Sequence, residues 1–159
     1  MGNFRRVIAS LSMVAILSTL VVSTTASAAW YDDYVDGGVA AGIFDQGGAA
    51  FRPGDALNRA EAVKVLVEAF GLEGTADVDF SDVSEADWYY SFVGTAVANG
   101  LVQGYSDNTF KGEKEINRAE WAKLVTIAAD VPDCEVDMPF PDVAAGQWYT
   151  DYVQKAYCW

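Results

Sequence analysis

The sequence predicts a mainly α-helical protein built from tandem helix–loop–helix repeats. Three observations support this prediction: a unit of about 60 residues recurs, each copy has apolar residues at helical spacing, and turn residues separate its two apolar stretches. A single helix pair cannot bury both of its apolar faces. We therefore expect neighbouring units to pack on one another.

The repeat is found by comparing the chain with itself. From Trp30 onward, the first halves of two copies align at an offset of 58 residues, and the second halves align at an offset of 59. A third copy begins at Phe140-Pro141-Asp142-Val143, which lies 60 residues after Phe80-Ser81-Asp82-Val83. The predicted units are therefore residues 29–74, residues 75–132 and a partial third unit, residues 133–159.

The first helix of each unit is predicted to begin near a tryptophan. Ser84 and Asp87 predict a capping box in front of this helix in the second unit, and Gly100 predicts its end. The apolar face of that helix consists of Trp88, Phe92, Val93, Ala96 and Val97. Because Trp30, Trp88 and Trp148 lie on such faces, we interpret them as core residues. A platform for a ligand is the alternative.

The second helix of each unit follows a turn. In the second unit the turn is "GYSDNTF", residues 104–110, and we expect its Tyr105 to be exposed. The helix is predicted to begin at Asn117 and to end before Pro132. Its predicted buried face consists of Ala122, Val125 and Ala129, and the corresponding face in the first unit consists of Val63, Leu66 and Phe70.

The first 28 residues have the layout of a secretory signal peptide. Arg5 and Arg6 precede an apolar stretch at 7–22, and Ala26-Ser27-Ala28 forms a small-residue cleavage pattern. A transmembrane anchor is the alternative. However, the stretch is shorter than the roughly 20 residues of a membrane span and is diluted by hydroxyl side chains. We therefore expect an exported protein.

The charge of the chain excludes two classes of partner. The whole chain has a net charge of −13, and residues 29–159 carry eight basic and 23 acidic side chains, a net charge of −15. Such a protein repels nucleic acid and anionic membrane surfaces. An anionic ligand therefore has to be held by a local group of donors.

The residue types argue against an enzyme. The chain has no histidine, no Gly-x-Ser-x-Gly sequence and no glycine-rich phosphate loop, so we predict a non-catalytic protein without cofactor or metal. The acidic segment 73–87 lacks the spacing of a calcium-binding loop, and we interpret it as a solvated connector. In an exported chain, Cys134 and Cys158 predict a disulfide. Two free thiols, or a bond to another chain, are the alternatives.

Two short segments, "LNRAE" at 57–61 and "INRAE" at 116–120, open the second helices. Asn58 and Asn117 are good N-caps, and a glutamate three residues later completes a capping box worth roughly 1 kcal/mol. Arginine in the first helical turn opposes the helix dipole. It becomes favourable if the free N–H groups and the guanidinium bind one carboxylate or phosphate. The alternative is that Arg59 pairs with Asp55 or Glu61, and Arg118 with Glu115 or Glu120.

The order of these motifs resembles the S-layer homology domain. Residues 30–159 contain Phe-x-Asp-Val, a Trp-Tyr pair, a Gly-Tyr turn that leads to Thr-Phe, and Asn-Arg-Ala-Glu, where the family usually has Thr-Arg-Ala-Glu. The first copy departs from the pattern because it lacks Phe-x-Asp-Val, and its "GIFDQGGAAF", residues 42–51, lacks Gly-Tyr. The third copy lacks the loop, the second helix and the arginine.

The resemblance implies a pseudo-threefold helical unit with an incomplete third repeat. It also implies a non-catalytic module of the cell envelope that binds secondary cell-wall polysaccharide, often pyruvylated, between repeats. By this resemblance Arg59 and Arg118 would meet the carboxylate at helix ends capped by Asn58 and Asn117. Trp88, Trp148 and Tyr105 are candidates for sugar contact, and other chains of the family are candidate partners. Two alternatives stay open: an anchor at the start of a longer exported enzyme or surface protein, and a protein-interaction module derived from the family.

Overall fold

The structure is a computed structural model that describes residues 29–44 and 51–159. The predicted signal peptide, residues 1–28, and most of the first-unit segment 42–51 lie outside the described residues. The described part contains five helices and no strand: α1 Asp32–Ala40, α2 Arg59–Phe70, α3 Tyr90–Ala98, α4 Arg118–Ala128 and α5 Thr150–Cys158. The predicted mainly α-helical class is confirmed. None of these helices has the length and apolar character needed to cross a membrane.

The helices pack mainly between repeats rather than within one repeat. α2 packs against α3 and α4, and α4 packs against α5. The core lies among α2, α3, α4 and the loop before α4; its largest fully buried side chains are Phe110, Leu66, Val63, Val93 and Val102. The first two units therefore share one core, which solves the problem of a helix pair that cannot cover both its faces.

The second helices follow the predicted pattern in α2 but only partly in α4. In α2, Val63 and Leu66 are buried and Phe70 is half-buried against the core. In α4, the buried residues are Leu124, Thr126 and Ala128, whereas the predicted face of Ala122, Val125 and Ala129 is only partly buried. α4 has two helical neighbours, α2 and α5, so burial is not confined to the single face that the sequence pattern predicted.

The core interpretation of the three tryptophans is wrong. Each first helix begins two residues after its tryptophan, and the side chains of Trp30, Trp88 and Trp148 are 84%, 53% and 55% exposed. Each indole packs edge-on against the tyrosine that follows it, at centroid distances of 5.6, 5.3 and 5.4 Å. In the second unit the tyrosine, Tyr89, enters the core instead, where its ring lies 6.0 Å from Phe110.

The predicted capping box at Ser84 and Asp87 is also wrong. The Asp87 carboxylate accepts a hydrogen bond from Ser84 N–H at 2.7 Å, but α3 begins later, at Tyr90, with no side-chain cap. The two residues stabilise a turn that precedes the Trp88-Tyr89 pair. The predicted end of α3 is observed: Gly100 has a φ of +71°, and Leu101 N–H donates to the Ala96 carbonyl at 2.8 Å.

Three contacts hold α5 to the segment 133–136: a disulfide, an ion pair and a hydrogen bond. Cys134 and Cys158 form a disulfide, Lys155 pairs with Asp133 at 2.7 Å, and Gln154 Nε2 donates to the Val136 carbonyl at 3.1 Å. The repeat counterparts of the two cysteines are Gly74 and Ala98, and a Cβ on Gly74 would lie 3.6 Å from the Ala98 Cβ. At the position of the disulfide, the second repeat has instead a close approach between two small residues. α5 needs this bond more, because it contains no fully buried residue.

Replacement of both cysteines, Cys134→Ser with Cys158→Ser, should release α5. The bond joins residues 24 apart, and closure of a loop of that length is worth about 3 kcal/mol. Hydrogen exchange should show lost protection in α5 while α2 and α3 stay protected. Wild-type protein under reducing conditions is the matched comparison, and unchanged protection of α5 in both samples would contradict this account.

Candidate functional site at the junction of two repeats

Both Asn-Arg-Ala-Glu segments form capping boxes. Asn58 Oδ1 accepts from Glu61 N–H at 2.8 Å, and Glu61 Oε2 accepts from Asn58 N–H at 3.0 Å. The box at Asn117 and Glu120 has the same geometry, with distances of 2.9 and 3.0 Å. The side chains at these two positions therefore fix where α2 and α4 begin.

The first N–H groups of α2 are already used by the second repeat. Arg59 N–H donates to the Lys114 carbonyl and Ala60 N–H donates to the Gly112 carbonyl, both at 2.9 Å. In return, Ile116 N–H donates to the Leu57 carbonyl at 3.1 Å. The expectation that free N–H groups of α2 bind an anion is therefore wrong, because the loop of the next repeat supplies their acceptors. Only the arginine side chain remains available to a ligand.

The Arg59 guanidinium lies against two aromatic rings of the second repeat. Its central carbon is 5.3 Å from the centroid of Tyr105 and 5.3 Å from that of Phe110. Its Nε is buried and has no hydrogen-bond partner among the described residues. No carboxylate in the described ranges forms a salt bridge with Arg59, since Asp55 pairs with Arg52 at 2.8 Å and Glu61 caps the helix. The predicted alternative of local pairing is therefore not observed for Arg59.

Two lysines complete this cluster. Lys111 Nζ and Lys114 Nζ lie 4.4 and 5.3 Å from the centroid of the Tyr105 ring. Lys114 also donates to the Tyr105 hydroxyl at 3.1 Å and pairs with Glu120 at 3.1 Å, while Lys111 pairs with Asp107 at 2.9 Å. Tyr105 is half-buried rather than exposed, because three cations surround it. We call this group, Arg59, Tyr105, Phe110, Lys111 and Lys114, the junction site.

Hydrogen bonds and nearby charges keep Lys114 of the junction site and the adjacent Glu120 charged. Hydrogen bonds to the Tyr105 hydroxyl and then to Glu120 raise the pKa of Lys114. Burial on its own would raise the pKa of Glu120, but the hydrogen bond from Asn117 N–H and the charges of Lys114 and Arg59 outweigh it and lower that pKa. Glu120 thus links the capping box of α4 to the cations around Tyr105.

The second-repeat loop is held in place by the acidic connector. The two carboxylate oxygens of Asp82 accept hydrogen bonds from Phe110 N–H at 2.7 Å and Lys111 N–H at 2.8 Å. Gly104 has a φ of +73°, and a Cβ there would collide with the Phe80 ring. Segment 73–87 is therefore more than a solvated connector, since one of its carboxylates fixes the backbone next to the junction site.

Sequence reasoning missed Lys111, Lys114, Glu120 and Asp82 as parts of this site. A signal was available for the lysines. Three of the eight basic residues after residue 28 lie at the junction site, in a chain with 23 acidic residues. No sequence signal paired these lysines with Arg59, which lies about 50 residues earlier in the chain.

The structure does not bring the other predicted residues into the junction site. Arg118 and Asn117 are exposed at the start of α4, and in the described part of the chain no loop carbonyl accepts from the N–H groups of Arg118 or Ala119. Local pairing of Arg118 with Glu115 or Glu120 is not observed in the described ranges either, because Glu120 pairs with Lys114. Trp88 contacts the ring of Tyr89, and Trp148 lies in the third unit, where it contacts Tyr149.

The fold and the junction site define a class of protein: a module of tandem helical repeats in which the second repeat completes the first. A sequence model described as the S-layer homology domain matches residues 24–63 and 79–122, more than half of the chain. The chain belongs to the S-layer homology domain family. Domains of this family are anchors, and membership places the chain among exported proteins of the cell envelope surface.

Individual relatives agree with this assignment. The chain is 31% identical to the Surface-layer 125 kDa protein of Lysinibacillus sphaericus, over 96% of this chain and 14% of that protein. It is 31% identical to the Cellulosome-anchoring protein of Acetivibrio thermocellus, over 80% of this chain and 30% of that protein. An Amylopullulanase of Thermoanaerobacterium thermosulfurigenes is 29% identical over 65% of this chain and 6% of its own length. The chain thus spans less than a third of each of these relatives.

Glu120→Gln tests the electrostatic part of the site. Glutamine can still cap α4, but the pairing with Lys114 is lost, so the variant should be less stable than wild type by about 0.5–1 kcal/mol at pH 7. Because folding lowers the pKa of Glu120, this difference should be present above its unfolded value of 4.5 and should vanish as the pH falls through the lower, folded-state pKa. Urea unfolding at pH 7 and pH 3 measures it. Glu61→Gln is the control. Glu61 forms no salt bridge with a lysine among the described residues, so this variant should show a smaller difference.

Proposed function

We propose that this protein attaches to the cell envelope by binding an anionic cell-wall polysaccharide, and that the junction site holds a carboxylate of that polymer. The observation that supports the proposal is Arg59. Its guanidinium has no carboxylate partner among the described residues, yet it lies in a chain with a net charge of −13. An unpaired, partly buried cation in such a chain is a receptor for an anion brought by a ligand.

The charges of the site match a single carboxylate. Lys111 is compensated by Asp107 and Lys114 by Glu120, so Arg59 is the one cation of the junction site that forms no salt bridge among the described residues. A guanidinium binds a carboxylate through two parallel hydrogen bonds. The pyruvyl ketal of a wall polysaccharide carries one carboxylate on a sugar ring, which matches the one guanidinium of this site.

Binding without chemistry is sufficient for this role. A single junction site of this kind is expected to bind modestly, and several copies along one polymer raise the total affinity through effective concentration.

We also propose that residues 1–28 are removed on export. Mass spectrometry of the secreted protein should then show Ala29 as the first residue.

Single substitutions of the two arginines test the proposal. Arg59→Gln should largely abolish sedimentation of the protein with purified cell walls, because it removes the only uncompensated cation of the junction site. Arg118→Gln should have a smaller effect, since no aromatic ring or lysine accompanies Arg118 in the described residues. The double variant Arg59→Ala with Arg118→Ala should not sediment, while its helical circular dichroism should match wild type.

A control variant separates this role from a general loss of positive charge. Lys155→Gln removes one charge far along the chain and should sediment as wild type does. Removal of the ketal-linked carboxylates from the walls by mild acid should abolish the difference between wild type and Arg59→Gln. Normal sedimentation of the double variant would refute the proposed role of the arginines.

A second candidate function is that of an anchor within a longer exported protein. The observation that favours it is the share of the relatives that the chain spans, 14% of a surface-layer protein and 6% of an amylopullulanase. The size of the protein secreted by the native host, measured with an antibody against this chain, decides between the two. A secreted product of about 14 kDa, the mass left after residues 1–28 are removed from 17.1 kDa, would refute the longer protein.

A further inference from the structure

The side chain of Lys114 is held at its ammonium group by two hydrogen bonds. Its Nζ donates to the Tyr105 hydroxyl at 3.1 Å and to Glu120 Oε1 at 3.1 Å. The other oxygen of the same carboxylate, Oε2, accepts from Asn117 N–H at 3.0 Å, and the Glu120 side chain is only 16% exposed. Both oxygens of Glu120 are therefore occupied, and the capping box of α4 fixes the position of the lysine.

The orientation of the Tyr105 ring depends on this lysine. Among the described residues, Lys114 is the only hydrogen-bond partner of the Tyr105 hydroxyl. The backbone of Tyr105 is fixed separately, because its N–H donates to the Thr109 carbonyl at 2.8 Å and its carbonyl accepts from Asn108 N–H at 3.0 Å. The turn therefore places the tyrosine, and Lys114 fixes the orientation of its ring by holding the far end.

The Tyr105 ring is in turn one of two surfaces that hold the Arg59 guanidinium. The central carbon of the guanidinium lies 5.3 Å from the centroids of both Tyr105 and Phe110. Its Nε is buried without a hydrogen-bond partner among the described residues, so this nitrogen gives it no polar anchor. Phe110 is fully buried, and its backbone N–H donates to Asp82 at 2.7 Å. Of the two rings, Tyr105 is thus the one whose orientation a side-chain contact at the site can change.

The pairing of lysine with glutamate is not a general feature of the repeat. The residue that corresponds to Lys114 in the first repeat is Asp55, an acid 59 positions earlier. Glu61, the counterpart of Glu120, caps α2 but forms no salt bridge with a lysine in the described ranges. A device for helix capping alone would be expected in both repeats. The connection from lysine to tyrosine therefore has a purpose other than capping, at the loop that closes over the arginine.

We propose that Lys114 is a positioning residue of the junction site: it holds Tyr105 by its hydroxyl, and the Tyr105 ring orients the Arg59 guanidinium toward the carboxylate of a ligand. Glu120 holds the lysine in turn, so the glutamate of the second Asn-Arg-Ala-Glu segment sets the arginine of the first. This role rests on the proposed function for the identity of the ligand. A lysine that instead contacted the carboxylate directly would contribute its charge without the tyrosine.

The first test needs no polysaccharide. NMR of the isotope-labelled full chain reports the Arg59 Nε–H signal, whose chemical shift depends on the adjacent rings and whose exchange with water depends on burial. Tyr105→Phe and Lys114→Met should each shift this signal and make it exchange several-fold faster. Backbone amide signals of α2 and α4 should stay close to wild type, because the Lys114 carbonyl that accepts Arg59 N–H is retained. An unchanged Arg59 signal in both variants overturns the proposal.

Two conservative variants show whether the hydrogen bonds are responsible. Lys114→Arg keeps a cationic donor for both partners and should restore the wild-type Arg59 signal. Glu120→Gln keeps the cap of α4 but weakens the hold on the lysine, so it should shift the Arg59 signal in the same direction as Lys114→Met. A wild-type Arg59 signal in Glu120→Gln overturns the role assigned to the glutamate.

The effect on binding is measured by calorimetric titration with wall polysaccharide that keeps its ketal-linked carboxylates. Tyr105→Phe and Lys114→Met should each bind about fivefold more weakly, the scale of one intramolecular hydrogen bond. The double variant should bind no more weakly than either single variant, because both substitutions break the same connection. A further loss in the double variant, equal to that in Lys114→Met alone, shows direct contact of the lysine with the ligand and overturns the proposal.

Lys155→Met is the control for the loss of one positive charge. Lys155 pairs with Asp133 in the third unit, away from the junction site, and its variant should bind as wild type does. A loss of affinity equal to that of Lys114→Met would attribute the effect to net charge and overturn the positioning role.

Failure of this role and failure of the proposed function give different results. If Arg59→Gln binds the polysaccharide as wild type does, the proposed function fails, and the Arg59 signal of the free protein still decides whether Lys114 positions the arginine. If that signal moves in Lys114→Met and Tyr105→Phe while both variants bind with wild-type affinity, the positioning role is overturned and the proposed function stands.

Discussion

The backbone contact between the start of α2 and the loop of the second repeat is the interaction on which the rest of the structure depends. Arg59 N–H and Ala60 N–H donate into that loop, and Ile116 N–H donates back. These bonds satisfy helix-terminal groups that would otherwise need water, and they place Phe110 in the core, where it is fully buried. The same contact brings Arg59 against Tyr105. Folding and site formation are therefore one event.

The junction site shows how a strongly acidic protein can bind an anion. Long-range attraction is unfavourable at a net charge of −13, so selectivity has to come from short-range geometry. Tyr105 collects three cations, and two neighbouring carboxylates compensate two of them. The acids that surround the site are thereby used to orient its lysines, and the arginine is left for the ligand. A strongly acidic chain can therefore contain a cationic site, because each lysine of the site is neutralised by one neighbouring carboxylate and the arginine is not.

Residues at equivalent positions of two repeats can have different roles. Arg59 and Arg118 stand at the same position of the same motif, in the same capping box. Arg59 is enclosed by the following repeat, while Arg118 is exposed at the start of α4. Cys134 and Cys158 likewise correspond to Gly74 and Ala98. The later pair is joined by a disulfide, whereas the earlier pair makes only a close approach. What each residue does depends on the neighbour that packs on it.

The sequence by itself determined the features that act over a few residues or through repetition. The helical class, the caps at Asn58 and Asn117, the end of α3 at Gly100 and the family all follow from local chemistry and from the 60-residue repeat. The tertiary structure alone decided which side chains are buried and which of them meet. The tryptophans have helical spacing, but in the folded chain they lie before the helices and are exposed. Lys111 and Lys114 meet Arg59 because hydrogen bonds join two repeats, and such long-range contacts leave no periodic trace in a single chain.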